Sequence, residues 1–123
     1  MSCNSSTSAD LRPAQYNVKL WRNDTWSQTF RVLADTTPVV LTGCEIEIQV
    51  RKTASSATAE LTLSTTDGSI SIGGIDNNQI TLNKIMAVAA DNYVYDMNVK
   101  FLSGEVKTYI WGTLLVQEDI TKP

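Results

Sequence analysis

The chain has 123 residues, with 10 basic and 13 acidic side chains, no histidine and a net charge of −3. Its length fits one domain, and 42% apolar against 19% charged residues supports a core rather than wholesale disorder. The missing histidine excludes Ser-His-Asp, Cys-His and His-metal arrangements, the acidic balance argues against nucleic acid, and no apolar run approaches the ~20 residues of a membrane helix.

Residues 1–14 are rich in Ser, Thr and Asn, contain Pro13 and show no periodicity. They read as a flexible N-terminal arm that orders only against a neighbour or a second copy, ahead of one β domain over 15–123. The arm lacks the apolar stretch of a signal peptide. With no secretion signal, Cys3 and Cys44 are expected as two free thiols, although a bridge between them is the alternative. From Tyr16 the texture changes. Tyr16, Val18 and Leu20 alternate with Asn17 and Lys19, and Trp26, Phe30 and Val32 alternate with Ser27, Thr29 and Arg31. Gln28 breaks the apolar face of that second run. Cys44, Ile46, Ile48 and Val50 alternate cleanly with Glu45, Glu47, Gln49 and Arg51. Period-two alternation with β-branched residues is the mark of half-buried strands. Shorter runs follow at 61–63, 70–72 and 80–82.

The segment Asn83-Lys84-Ile85-Met86-Ala87-Val88-Ala89-Ala90 is alanine-rich and lacks alternation. Asn83 is a suitable cap, so one short helix is expected near 84–90. Beyond it, Tyr93, Tyr95, Met97, Val99 and Phe101 share one face. Ser103-Gly104 is a hairpin turn, so 92–102 and 105–117 form a two-stranded ribbon. Turn signals at Asn23-Asp24, 35–38, Asp67-Gly68, Gly73-Gly74 and 76–78 separate seven or eight short strands, a spacing that indicates a β-sandwich.

Little in this pattern carries chemistry. Asp67-Gly68 and Asp76-Asn77-Asn78 are turn residues without the spacing of a calcium loop, and Gly73-Gly74 lacks the Lys-Ser that follows a phosphate-cradling loop. Glu45 and Glu47 read as solvation of a sheet surface rather than an acid–base pair. Arg51 and Asp96 are expected as a structural cross-strand or near-neighbour pair contributing ~0–1 kcal/mol. The anomaly is the last strand. Strict alternation puts Ile110 and Leu114 on the core face and Tyr109, Trp111 and Leu115 on the other, so both faces carry apolar bulk. With Trp21 as the outer-face residue of the first strand, Trp21, Tyr109, Trp111 and Leu115 are candidate interface residues.

The order of short motifs adds a resemblance. Trp21-Arg22-Asn23-Asp24-Thr25-Trp26 is followed by Phe30-Arg31-Val32, Pro38-Val39-Val40-Leu41-Thr42-Gly43, Ile48-Gln49-Val50-Arg51-Lys52 and Leu63-Ser64-Thr65-Thr66-Asp67-Gly68. Tyr93-Val94-Tyr95-Asp96-Met97, Ser103-Gly104-Glu105-Val106, Gly112 and Asp119-Ile120-Thr121 complete the series. Over residues 16–122 it resembles a family of small tailed-bacteriophage virion proteins and is similar to the N-terminal immunoglobulin-like domain of phage upper-baseplate proteins. Asn23 stands where that family often has glycine, and Cys44 where a tyrosine is common. The resemblance implies an all-β, immunoglobulin-like antiparallel sandwich with no catalytic site and no cofactor. It implies a structural protein of the virion, assembled in the host cytoplasm and multimeric in the particle, that contacts other virion proteins in the tail, the baseplate or a fibre attachment. A capsid decoration protein and a carbohydrate-binding module, with Trp21, Tyr109 and Trp111 as stacking residues, are the alternatives.

Overall fold

The computed structural model describes residues 14–34 and 36–118, which contain eleven strands and no helix. In chain order these are β1 (Ala14–Gln15), β2 (Val18–Trp21), β3 (Thr25–Arg31), β4 (Leu33–Ala34), β5 (Thr37–Pro38), β6 (Glu45–Arg51), β7 (Leu61–Ser64), β8 (Ile70–Gly73), β9 (Gln79–Ile85), β10 (Asp91–Lys100) and β11 (Val106–Gln117). The expected N-terminal arm lies, apart from Ala14, outside the described residues. Eight of the strands have four residues or more, in line with the alternation. The surplus over the expected seven or eight is the two-residue bridges β1, β4 and β5, which are too short to leave a period in the sequence.

Six strands form a large sheet in the order β1-β11-β10-β6-β7, with β2 also beside β11. A second sheet runs β3-β9-β8, and β4 pairs with β5. β1 and β2 run parallel to β11, so the large sheet is mixed, while the other pairings are antiparallel as expected. The alternation explains how the sheets meet. Ile46, Ile48 and Val50 of β6, Tyr93, Tyr95, Met97 and Val99 of β10, and Ile80 and Leu82 of β9 all bury into one cluster with Trp26. Polar alternates such as Glu45 and Glu47 stay exposed. Burying one face of each sheet against the other gives a sandwich-like all-β body. At its centre Trp26 of the small sheet meets Tyr95 of the large one edge-on, with ring centroids 5.4 Å apart.

The helix expected near 84–90 is not formed. β9 continues through Ile85, and the backbone groups that a helix would use internally are taken elsewhere. Met86 N–H donates to the Asp24 carbonyl and the Met86 carbonyl accepts from Asn23 N–H, both at 2.8 Å. Tertiary pairing with the Asn23-Asp24 turn therefore overrides local helix preference. Asn23 makes this turn at φ 70°, a left-handed conformation that Asn tolerates better than most residues. Cys44 is also corrected, being held in a disulfide rather than a free thiol. The chain's one other cysteine, Cys3, lies outside the described residues.

The first strands are locked by one close approach. Tyr16 N–H donates to the Trp111 carbonyl, and Thr113 N–H donates to the Asn17 side chain. Between them Gly112 lies so near that an added Cβ would sit 2.2 Å from the Tyr16 carbonyl oxygen. The Tyr95 hydroxyl donates to that same oxygen. Gly112→Ala forces this backbone contact apart, and overpacking of this kind costs about 1–3 kcal/mol or more. Urea unfolding of the variant is expected to show a lowered midpoint of that size.

Candidate functional site

The described residues contain no group of three or more metal-ligating side chains, so the surface that remains to be read is the outer face of the large sheet. Strand register decides its composition. Gln15, Trp111, Asp96, Gln49 and Thr62 are successive cross-strand partners from β1 to β7. On one side of this row lie Thr113, Val94 and Arg51, and on the other Thr108, Asn98, Glu47 and Ser64. Trp111 therefore stands directly beside Asp96, with its side chain 44% exposed.

The polar groups around it are mostly occupied. Thr108 donates its hydroxyl to Asn98 Oδ1 at 2.8 Å. Gln49 donates to Glu47 at 3.3 Å and accepts from Arg51, and Arg51 also donates to the Ser56 carbonyl at 2.8 Å. Asp96 is different. Burial raises its carboxyl pKa, the Arg51 charge lowers it in part, and Glu47 adds to the rise. Arg51 is the cross-strand partner of Val94, and Asp96 that of Gln49. The two expected partners are thus diagonal neighbours on one face, and the guanidinium's hydrogen bonds go to Gln49 and Ser56. A depression of about 370 Å³ opens here between Trp111, Asp96, Asn98, Gln49, Arg51 and Thr113.

The four sequence-predicted interface residues separate. Trp21 ends β2 opposite Gln117 and is 41% exposed. Leu115 is half-buried between Asn92 and Lys19. Trp21, Leu115 and Trp111 share the outer face, with β2 and β11 adjacent. Tyr109 does not join them, because it is buried against Phe101 with ring centroids 6.4 Å apart. The cause is a register shift in the ribbon: Met97 partners Ile110 but Asn98 partners Thr108, leaving Tyr109 as an extra residue. Such a bulge puts two consecutive residues on the inner side, which strict alternation could not anticipate. Gln49, Asn98 and Thr113 were also not singled out from sequence, although their outward parity was readable, since only the register brings them to Trp111.

Two substitutions check this account. The Tyr109 hydroxyl is buried without a hydrogen-bond partner, so Tyr109→Phe removes a desolvated polar group and is expected to leave stability unchanged or raise it by about 1 kcal/mol. For Asp96 the folded pKa is raised, so the native state binds more protons than the unfolded state between the two pKa values. Its contribution to stability falls as pH rises through that window. Asp96→Asn removes this penalty. Thermal melts are expected to show the variant at or above wild type at neutral pH, with the gap closing below about pH 4, where the unfolded carboxyl is itself protonated.

Compared with known proteins, the chain matches no family model and no curated sequence.

Proposed function

We propose that this chain is an immunoglobulin-like sandwich serving as a non-enzymatic structural protein of a tailed-phage virion, in the tail, the baseplate or at a fibre attachment. The fold part of this reading is supported by strand order. Taken in sequence, β3, β9 and β8 oppose β2, β11, β10, β6 and β7, which corresponds to the B-E-D and A′-G-F-C-C′ sheets of a variable-type domain. The Tyr93 hydroxyl donates to the Ala89 carbonyl four residues upstream at 2.6 Å. That is the arrangement of a tyrosine corner at the entry to the F strand. Trp26 and Tyr95 then occupy the inter-sheet contact that a disulfide makes in antibody domains. The virion part is supported by the motif series quoted above.

One observation carries the mode of action. Trp21, 41% exposed, and the half-buried Leu115 stand on the same outer face at the β2–β11 margin and together offer apolar surface to a partner. Burying the area each still exposes contributes a fraction of the about 1.5–3 kcal/mol of a full burial, before association costs. In this reading the margin docks onto another virion subunit, and function lies in presenting surface rather than in reaction.

Trp21→Glu tests it. The variant is expected to keep the circular dichroism and melting temperature of the wild type while disappearing from purified particles, quantified by mass spectrometry. Incorporation at the wild-type level by a folded variant rejects docking through this margin.

A further inference from the structure

Trp111 lies four positions from Leu115 and six from Gln117 along β11, roughly 13 Å and 20 Å at the rise of a strand. It therefore occupies a different region of the outer face from the Trp21 margin, and its surroundings are polar. The Asp96 carboxylate makes no side-chain hydrogen bond there, and neither do the Trp111 indole N–H and the Thr113 hydroxyl, while Gln49, Asn98 and Arg51 are each engaged. An ionised carboxylate has about four acceptor positions, and here they open beside the exposed indole of its cross-strand partner Trp111.

The chemistry of an occupant follows by elimination. A purely apolar group covering Trp111 would also cover Asp96 and leave the carboxylate buried and unpaired, which is costly. An anion meets the charges of Asp96 and Glu47. A cation meets Asp96 and Glu47 favourably but has Arg51 in the adjacent row of the same face. A neutral polyol has none of these conflicts. Its vicinal hydroxyls donate to a carboxylate, and the C–H face of a sugar ring offers apolar area to an indole. The depression of about 370 Å³ falls within the roughly 300–1,000 Å³ of small-molecule sites.

We propose that the depression is a saccharide-binding site. Trp111 stacks on the apolar face of a pyranose ring, Asp96 accepts hydrogen bonds from two neighbouring hydroxyls, and Thr113 and Asn98 line the rim. The inference is independent of the virion reading, because it concerns the isolated protein and a region of the outer face separate from the Trp21 margin.

The test uses the purified full chain and nuclear magnetic resonance of the tryptophan indole N–H signals. Soluble tetrasaccharides built from glucose, galactose or N-acetylglucosamine are titrated to about 10 mM, a range that captures millimolar affinity. At least one is expected to move the Trp111 signal in a saturable way and leave the Trp26 signal in place. Trp111→Ala is expected to abolish the binding and Asp96→Asn to weaken it about tenfold or more, whereas Trp21→Ala leaves it unchanged. Because Asp96→Asn is expected to be at least as stable as wild type, weakened binding in that variant reports a lost contact rather than a lost fold. Absence of a saturable shift with all three sugars overturns the proposal, as does binding that survives Trp111→Ala. Stronger binding of lysine amide or arginine amide than of any sugar overturns it in favour of a cationic ligand.

Discussion

The large sheet depends on the crossing of Tyr16 over Gly112. Only a residue without Cβ leaves room for the Tyr16 carbonyl there, and that carbonyl accepts the hydroxyl of Tyr95. Tyr95 is nearly fully buried, so its hydroxyl needs a partner, and burial drives its pKa far above the ordinary value, keeping it a donor. The Tyr95 ring in turn supports Trp26 of the opposite sheet. Trp26 donates its indole N–H to Gln28, Gln28 donates to the Tyr16 hydroxyl at 2.6 Å, and the Tyr16 ring rests edge-on against Phe30. The contacts close into a circuit that joins the first strands to both sheets. Loss of Gln28 takes the acceptor from the buried Trp26 indole N–H, and loss of Tyr95 takes the donor from the Tyr16 carbonyl, so these members are coupled through shared hydrogen bonds.

That circuit also explains which parts of the fold were readable in the sequence. Gln28 looked like a defect in the apolar face of its strand, and it is the polar link of the circuit. Its role depends on Trp26 two positions before it and on Tyr16 in the link between β1 and β2, and no local pattern reports both. The alternation of β6, β10 and most of β11 was legible because each strand has one face in the core and one in solvent. The segment after Ile85 was misread as helical because its alanines carry local preference, whereas the hydrogen bonds of Met86 to Asn23 and Asp24 come from 62 or more positions away. Nothing in eight residues of sequence reveals such a partner.

Tyr109 illustrates a second limit. A period-two reading assigns a face by counting, and one inserted residue inverts every assignment beyond it. Counted back from Gly112 without the bulge, Tyr109 belongs with Trp111 on the outside. With the bulge it turns inward onto Phe101, and Val106 and Thr108 move to the outer row beside Lys100 and Asn98. The sequence places no glycine or proline at 108–110 to mark the insertion. The candidate site was therefore half legible. Trp21, Trp111 and Leu115 could be placed outward by parity, but the row that joins Trp111 to Asp96 and Gln49 exists only once the strand order is known.

The bulge has a consequence for the surface as well as for the core. By taking Tyr109 inward it leaves Trp111 as the one large aromatic residue on the outer face at this part of β11, separated from Tyr109 by the thickness of the sheet. Had both rings faced outward two positions apart, they would have formed a continuous apolar strip running from 109 to 115 toward Trp21, a surface suited to protein contact. A single ring set between Asp96, Asn98 and Thr113 has different energetics. It offers one apolar platform bordered by hydrogen-bonding groups, and a flat protein surface placed over it would bury the Asp96 carboxylate without a donor unless that partner supplied one at this position. The same strand thus carries an apolar margin at its C-terminal end, shared with β2, and a polar-rimmed platform at its centre, and the register shift at Tyr109, on the far side of the platform from that margin, is what keeps a second ring off the platform.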